Sequence, residues 1–277
     1  MNGLKINLHI TEKCNYHCKY CFAHFRQKKD LPLEKWFEII DNLKSAGNIS
    51  AINFAGGEPV LYKNFLALVD YAKGLGFQVS IISNGSLLLN EKLMPVKTFA
   101  QIETLGISAD SFDEKILIPL GCCDGAFKIL TKENLKKIIA RAKSVNPAIK
   151  IKLNTVVSRL NVNEQLTSFE NEVEIDRWKF LKIKPFENKN FSNKYLTISD
   201  EEFQHFLARN PVKTGAAVPE FTTMRSYIII DNEGNLLDNF GDSYDIVGNV
   251  LEESFSEVFG RYQFDKELYN SRYGLTA

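Results

Sequence analysis

Three cysteines stand close together near the start of the chain, in the segment Cys14-Asn15-Tyr16-His17-Cys18-Lys19-Tyr20-Cys21. An apolar, strand-like run over residues 6–10 precedes this cysteine loop. Three thiolates on one short loop can bind three irons of a cubane iron–sulfur cluster and leave the fourth iron without a protein ligand. Such an open coordination position is typical of a catalytic metal centre. The alternative is a zinc ion whose site is completed by His17 or His24.

The composition is that of an ordinary globular protein, with 44% hydrophobic and 25% charged residues among 277. Lys plus Arg and Asp plus Glu both total 34, so no basic excess indicates a nucleic-acid partner. No apolar run is long enough to span a bilayer, and we therefore expect no membrane association. The cysteines are clustered rather than spread as disulfide pairs, which favours a reducing, cytoplasmic location.

Hydrophobic periodicity predicts strands and helices that alternate through most of the chain. The expected strands cover residues 5–10, 51–55, 79–83, 102–108, 149–157 and 178–183, with helices over 33–46, 61–75 and 132–144. Alternation of this kind predicts right-handed βαβ units and a parallel sheet. Six units are too few for the eight-stranded barrel, so the predicted fold is α/β, a curved partial (βα)6 barrel. Residues 110–131, which contain Pro119, Gly121 and Gly125, are expected to form a loop.

The pattern changes after residue 184. A polar segment follows Pro185, Ser199 is a candidate N-cap for a helix over residues 199–208, and Asn232-Glu233-Gly234 indicates a hairpin turn. We therefore expect a core domain over residues 1–184. Residues 185–277 are expected to form an α+β extension that packs on the core and closes its open side.

Several polar or small residues directly follow predicted strands. Because the carboxyl ends of parallel strands meet at one rim, these residues are expected to share a site with the cysteine loop. Glycines let a ligand approach the backbone, a glutamate can face an ammonium group, and hydroxyl and amide groups can bind sugar hydroxyls. The alternative is ordinary turn formation. The residues concerned are Gly56, Gly57, Glu58, Ser83, Asn84 and Ser108.

Two further polar residues lie within predicted strands. Asn7 shares a face of the first strand with His9, and a lone strand histidine is usually a core residue. Lys179 follows Trp178 in an otherwise apolar strand, where burial of a lysine is costly unless it has a partner. The alternative for Lys179 is a solvent-facing position.

The cysteine spacing resembles the signature loop of the radical S-adenosylmethionine (SAM) enzymes, including the aromatic residues Tyr20 and Phe22 on either side of the last cysteine. The segment Gly56-Gly57-Glu58-Pro59 resembles a second motif of that superfamily. The resemblance implies a [4Fe–4S] cluster held by Cys14, Cys18 and Cys21. It also implies that the amino and carboxylate groups of SAM chelate the open iron, with the glycines and Glu58 near the methionine end. Tyr20 and Phe22 are expected to lie next to the cofactor.

A narrower resemblance, to the viperins, covers nearly the whole chain. It rests on residues 6–10, on the cysteine loop and on later segments: residues 52–54, 56–59, 83–87, 108–114, 154–157, 177–179 and 226–231, and Tyr273-Gly274. The resemblance implies a lyase-type radical SAM enzyme that removes hydrogen from the ribose C4′ of CTP, UTP or GTP and eliminates the 3′-hydroxyl as water. The implied product is a 3′-deoxy-3′,4′-didehydro nucleotide, an antiviral chain terminator.

The viperin resemblance also carries over individual residues and partners. Asn7 and Lys179 match residues that contact the nucleotide, and Tyr273 matches a residue that becomes ordered over it. An electron donor such as a flavodoxin or a ferredoxin is implied. With no membrane helix before the cysteine loop, we expect a prokaryotic, cytoplasmic member of the family, and a monomer.

The chain departs from the family pattern where a triphosphate would bind. Ala51 stands where viperins usually have a lysine, and Cys122 stands in the loop where they have an arginine. Each lost charge-assisted contact is typically worth about 1.5–3 kcal/mol. We expect Lys128 and Lys194 to supply the positive charge that the missing lysine and arginine would have given to the triphosphate site. The alternatives are another small nucleoside or phosphorylated substrate, or a viperin relative without catalytic activity.

Overall fold

The computed structural model describes most of the chain. The described residues are 3–21, 29–185, 187–188, 191–212, 218–220, 224–240 and 244–273. Within them no helix is both long enough and apolar enough to cross a membrane.

Twelve strands and seven α-helices make up the described structure, and most follow the predicted order. The strands are β1 (Leu4–His9), β2 (Ile49–Ala55), β3 (Gln78–Ser83), β4 (Thr104–Ser108), β5 (Lys150–Val157), β6 (Arg177–Lys182), β7 (Glu187–Asn188), β8 (Phe191–Ser192), β9 (Val218–Glu220), β10 (Ile228–Ile230), β11 (Asn235–Asp238) and β12 (Asp245–Asn249). The helices are α1 (Leu33–Ser45), α2 (Phe65–Gly74), α3 (Glu114–Leu120), α4 (Lys132–Val145), α5 (Asp200–Arg209), α6 (Phe255–Arg261) and α7 (Lys266–Tyr273).

Strands β1 to β6 lie side by side in chain order and pair in parallel, which confirms the predicted βαβ arrangement. The region after residue 185 adds strands at both edges of the same sheet. Strand β10 is parallel to β1 and continues antiparallel into β11 and β12, while β9 is parallel to β6. Among the described residues the result is an open ten-stranded sheet, with β12 at one edge and β9 at the other.

The two faces of the sheet differ in chemistry because side chains alternate along a strand. Ile6 and Leu8 are paired in register with Ile52 and Phe54, and these apolar side chains are fully buried in the core. The opposite face, which we call the polar face, follows the in-register series Asn7, Asn53, Ser80. On the next strands the same face carries Thr104, which is in register with Ser80, and then Asn154, which is in register with Lys179.

The prediction of a continuous loop over residues 110–131 is wrong, because α3 lies within this segment. Asp113 caps the helix by accepting a hydrogen bond from the Lys115 backbone N–H at 2.9 Å. Gly121 ends it in the left-handed conformation, with φ of 76°. The helix is short and contains Pro119, which removes a backbone donor and is generally unfavourable inside a helix. The sequence signal for a helix was therefore weak.

Other boundaries moved by smaller amounts. The segment expected to open α2 is a 3-10 turn over Pro59–Leu61, and α2 itself begins at Phe65. Two further 3-10 helices cover Val96–Gln101 and Thr167–Asn171. The predicted cap of α5 is confirmed: Ser199 and Glu202 form a reciprocal capping box.

Candidate active site

The cysteine loop is held in place by backbone contacts with two other loops. His17 N–H donates to the Gly121 carbonyl at 3.1 Å, and Lys19 N–H donates to Leu120 at 2.8 Å. On the other side, Gly57 N–H donates to Thr11 and Glu58 N–H donates to Lys13, both at 2.7 Å. The end of α3 and the Gly-Gly turn therefore fix the path of the loop.

The glycines of this turn have a role that the sequence did not reveal. A Cβ at Gly57 would collide with the Lys13 backbone, and one at Gly56 would collide with the Thr11 carbonyl. Gly56 also has a φ of 127°, a conformation rarely adopted by other residues. These glycines therefore allow close approach of the cysteine loop itself, in addition to lining the cavity described below.

The side chains of Cys14, Cys18 and Cys21 are partly buried around this loop, and none of them forms a disulfide. Burial raises the pKa of Cys14 to about 11, although hydrogen bonds from the Tyr16 N–H and the Asn84 amide oppose this effect. Burial therefore disfavours the charged thiolate of Cys14, and a bound metal would stabilise it. Three sulfur donors on one loop fit a [4Fe–4S] cluster with one open iron. His24, considered above for zinc, lies outside the described residues.

A cavity opens at the carboxyl ends of β1 to β4, beside the cysteine loop. It brings together most of the residues predicted to follow strands, with Glu58 as the exception. The lining residues include Cys14, Cys18, Tyr20, Cys21, Gly56, Gly57, Ser83, Asn84, Ser108, Asp110 and Cys122. Phe22, also predicted to be near the cofactor, lies outside the described residues.

Glu58 is fully buried and does not line the cavity. Its carboxylate accepts hydrogen bonds from the Ser83 hydroxyl at 2.9 and 3.0 Å and from the Asn84 N–H at 2.8 Å. Burial raises the pKa of Glu58 to about 7, and these donors limit the rise. Glu58 therefore organises the Ser83-Asn84 turn that borders the cavity.

A second buried carboxyl group, not predicted from the sequence, lies on the other side of the cavity. Asp110 accepts hydrogen bonds from the Tyr20 hydroxyl and, at 2.6 Å, from the Val156 N–H. The Cys122 thiol lies 3.6 Å from the same carboxylate. Burial raises the pKa of Asp110 to about 6, against the opposing effect of its donors. Its position just after β4 is the signal that could have identified it.

Basic side chains gather on the polar face, toward the amino ends of the strands. We call Lys5, Arg177, Lys179 and Arg272 the basic cluster. Lys179 is only 1% exposed, and its Nζ lies 3.2 Å from the Tyr227 hydroxyl. The Arg272 guanidinium lies 4.1 Å from the centre of the same ring, and Arg177 donates to the Arg272 carbonyl. The solvent-facing alternative for Lys179 is therefore wrong.

The other residues predicted to bind substrate are in different surroundings. Asn7 donates to the Ile228 carbonyl at 3.1 Å and accepts from the Asn53 amide at 2.9 Å. Tyr273 is half-buried, and its ring lies 5.8 Å from Lys5 Nζ. Lys128 and Lys194 are exposed, and neither belongs to the basic cluster or to the described lining of the cavity.

The signal for the basic cluster was present in the strands. Lys5 lies two positions before Asn7, and Arg177 lies two positions before Lys179, so each pair shares a face of its strand. Which face the helices would cover was not evident from these short segments. Arg272 comes from the last helix and gave no signal in the sequence.

Comparison with known proteins agrees with this architecture. The family model described as the Radical SAM superfamily matches residues 8–164. Among solved structures, anSMEcpe with bound AdoMet and Cp18Cys peptide has a TM-score of 0.71 at 15% identity, covering 96% of this chain and 84% of that one. Streptococcus suis SuiB bound to S-adenosylmethionine has a TM-score of 0.68 at 17% identity, and the match covers 98% of this chain and 67% of SuiB. At these identities the two structures show a shared fold.

Closer relatives are similar over nearly the full chain, and they share one name, S-adenosylmethionine-dependent nucleotide dehydratase. The protein from Selenomonas ruminantium is 52% identical, covering 97% of this chain and 98% of the relative. The protein from Fibrobacter sp. (strain UWH6) is 33% identical, covering 97% and 87%. One from Siniperca chuatsi is 32% identical, covering 99% and 79%. The chain therefore belongs to the radical SAM superfamily and, within it, to the family of S-adenosylmethionine-dependent nucleotide dehydratases.

Proposed function

We propose that this protein removes one water molecule from a nucleoside triphosphate and forms a 3′-deoxy-3′,4′-didehydro nucleotide. The observation that carries the proposal is the polar face, with the cysteine-loop cavity at one end and the basic cluster toward the other. A nucleoside triphosphate has the matching polarity, with an uncharged nucleoside and a strongly anionic tail. The names of the relatives supply the reaction class.

The residues around the cavity fit the two cofactors of the superfamily. Cys14, Cys18 and Cys21 would hold the [4Fe–4S] cluster, while Gly56, Gly57, Ser83, Asn84 and Ser108 line the space next to it for SAM. When bound, these cofactors supply a 5′-deoxyadenosyl radical, which is the hydrogen acceptor of the reaction. The protein's own contribution is to position the ribose and to exclude water.

The substrate loses the hydrogen of C4′ and the hydroxyl group of C3′, which together amount to one water. The C4′ hydrogen would pass to the 5′-deoxyadenosyl radical, and the C3′ hydroxyl would leave as hydroxide, which takes up one proton to become water. An external reductant must supply two electrons, one for the cleavage of SAM and one for the substrate after the hydroxide has left. We propose a flavodoxin or ferredoxin as that reductant, in the cytoplasm, and a monomeric enzyme. Within the monomer, the core over residues 1–184 would carry the cofactors, and the extension over residues 185–277 would help to enclose the substrate.

The test uses anaerobically reconstituted enzyme with SAM, a reductant and each ribonucleoside triphosphate in turn. We expect CTP, UTP or GTP to stimulate 5′-deoxyadenosine formation and to yield a product one water lighter, detected by mass spectrometry.

Replacing Cys14, Cys18 or Cys21 by Ala should abolish the visible iron–sulfur absorption and the activity. Cys122→Ala should retain the absorption and about four irons per chain, the cubane count.

A different small phosphorylated or nucleoside substrate is the second candidate, and Cys122 favours it. This side chain is buried against Tyr20 and Asp110, so no cation projects into the cavity from the position where viperins have an arginine. SAM cleavage at an unchanged rate with and without every triphosphate, and without a dehydrated product, would favour this candidate. Absence of any SAM cleavage in reduced, cluster-loaded protein would favour a relative without catalytic activity.

A further inference from the structure

Lys5 is the member of the basic cluster whose side chain starts from the first strand. Strands β1 and β2 pair in parallel with Lys5 directly opposite Ala51. Residues opposite each other on neighbouring strands project from the same face and are about 5 Å apart. Position 51 is buried and carries only a methyl group, so it supplies no charge to the polar face.

The Lys5 side chain is directed along the polar face toward the next strands. Its Nζ donates to the Ser80 hydroxyl at 3.2 Å and lies 5.8 Å from the centre of the Tyr273 ring. Ser80 is on β3, two strands away from Lys5, and it is in register with Asn53 on β2. The ammonium group therefore lies over β2 and β3, in the space that a longer side chain at position 51 would occupy.

The charges around Lys5 are mainly positive. Burial lowers the pKa of Lys5, and Arg177, Lys179 and Lys150 lower it further, while Glu103 acts in the opposite direction. The Glu103 carboxylate is already engaged by Lys73 Nζ at 2.5 Å and by the Val79 N–H at 2.6 Å. Bringing several cations together in a buried place is costly unless a ligand of opposite charge binds among them. A polyphosphate has that charge and several acceptor oxygens.

We propose that Lys5 binds the polyphosphate of the nucleotide and supplies, from the first strand, the positive charge that Ala51 does not supply from the second. The inference rests on the proposed function and adds a substrate-binding residue to it. Lys5 and position 51 are opposite each other on neighbouring strands, so a charge on either one faces the same space. Lys128 and Lys194 are then not needed to compensate for the alanine.

The test compares Lys5→Ser with the double variant Lys5→Ser/Ala51→Lys, using Lys137→Gln as the control for loss of an exposed lysine. Lys5→Ser should raise the KM for the triphosphate about 10- to 100-fold, as expected for one lost charge-assisted contact, with a smaller effect on kcat. The double variant should recover most of this loss because the charge returns to the same face. Lys137→Gln should keep the wild-type KM.

A binding measurement separates this inference from the proposed function. Calorimetry with inorganic tripolyphosphate on the cluster-free proteins should show weaker binding by Lys5→Ser and recovery by the double variant. Equal binding by wild type and Lys5→Ser, with equal melting temperatures, would overturn the role of Lys5 even if the enzyme dehydrates a nucleotide. A failure of wild type to dehydrate any triphosphate would instead overturn the proposed function.

If Lys5→Ser does not fold, the role of Lys5 is tested by comparing the tripolyphosphate affinity of wild type with that of the double variant. A folded double variant with near-wild-type tripolyphosphate affinity supports the exchange of positions. A folded double variant without that affinity contradicts it.

Discussion

Single residues at this site make structural contacts that their predicted roles did not include. Glu58 was predicted to face the ammonium group of SAM, but its carboxylate is fully buried and is used to hold Ser83 and Asn84. Gly57 was predicted to admit a ligand, and it also admits the cysteine loop. In both cases the contact that the residue makes with its neighbouring loop became visible only in three dimensions.

The raised pKa of Glu58 predicts a specific dependence of stability on pH. Its pKa is about 7 in the folded protein, against an ordinary value of 4.5, so between these values the folded chain holds a proton that the unfolded chain has lost. The contribution of Glu58 to stability is therefore complete below pH 4.5 and is lost as the pH rises through 7. The shift corresponds to about 3 kcal/mol, at about 1.4 kcal/mol per pKa unit.

Urea unfolding of cluster-free wild type and Glu58→Gln across this pH range measures that contribution. The difference in free energy of unfolding between wild type and variant should fall by about 3 kcal/mol from acid to neutral pH. His9, whose pKa burial lowers to about 4, acts in the opposite direction, but it is common to both proteins and cancels in the difference. A difference that stays constant with pH would contradict the assignment.

Among the secondary-structure elements, the contacts between loops explain how the cluster site is built. The cysteine loop follows β1, but its path depends on the turn after β2 and on the end of α3. Three segments far apart in sequence therefore hold the cysteines in their positions. Helix α3 was missed in the sequence because it is short and contains a proline, yet its C-terminal Gly121 directly contacts the loop.

We predict that Gly57→Ala reduces assembly of the cluster as well as SAM binding. The added Cβ would collide with the Lys13 backbone and displace the cysteine loop. Iron content and visible absorption after anaerobic reconstitution should fall well below wild type. Gly125→Ala is a matched control, because nothing lies within 4 Å of its added Cβ. A Gly57→Ala protein with full iron content but no SAM binding would show that this glycine serves the ligand alone.

Across the protein as a whole, the two ends of the described chain meet at the basic cluster. The Tyr269 hydroxyl of α7 accepts a hydrogen bond from the Lys5 N–H of β1 at 2.7 Å, across 264 positions of sequence. Arg177 of β6 donates to the Arg272 carbonyl of the same helix. The last helix thus connects the first and the sixth strands at the amino ends, close to where the proposed polyphosphate would bind.

Tyr269→Phe tests the contribution of this contact. The variant leaves the Lys5 N–H without its acceptor, which we expect to lower the free energy of unfolding by about 1–3 kcal/mol. Hydrogen exchange at the start of β1 and in α7 should become faster. Tyr195→Phe is the control, because Tyr195 is 61% exposed. Unchanged stability and exchange in Tyr269→Phe would mean that α7 is held by other contacts.

Local patterns in the sequence were enough to predict the cofactor chemistry and the order of the core strands. The cysteine spacing and the Gly-Gly-Glu-Pro segment are such patterns, and the alternation of strands and helices follows from periodicity that each segment carries on its own. These features need no knowledge of distant contacts. The superfamily, the parallel sheet and the rim that holds the cavity could therefore all be predicted.

The identity of the cations that share the polar face, in contrast, depended on tertiary packing. Lys128 and Lys194 were expected to bind the triphosphate because of their places in the sequence, but both are exposed. Lys5, Arg177 and Arg272 are far apart in sequence, yet they come together at the amino ends of the strands. Electrostatic interaction depends on distance through space and on burial, and strand register and helix docking set both. Neither can be obtained from the spacing of lysines along one chain.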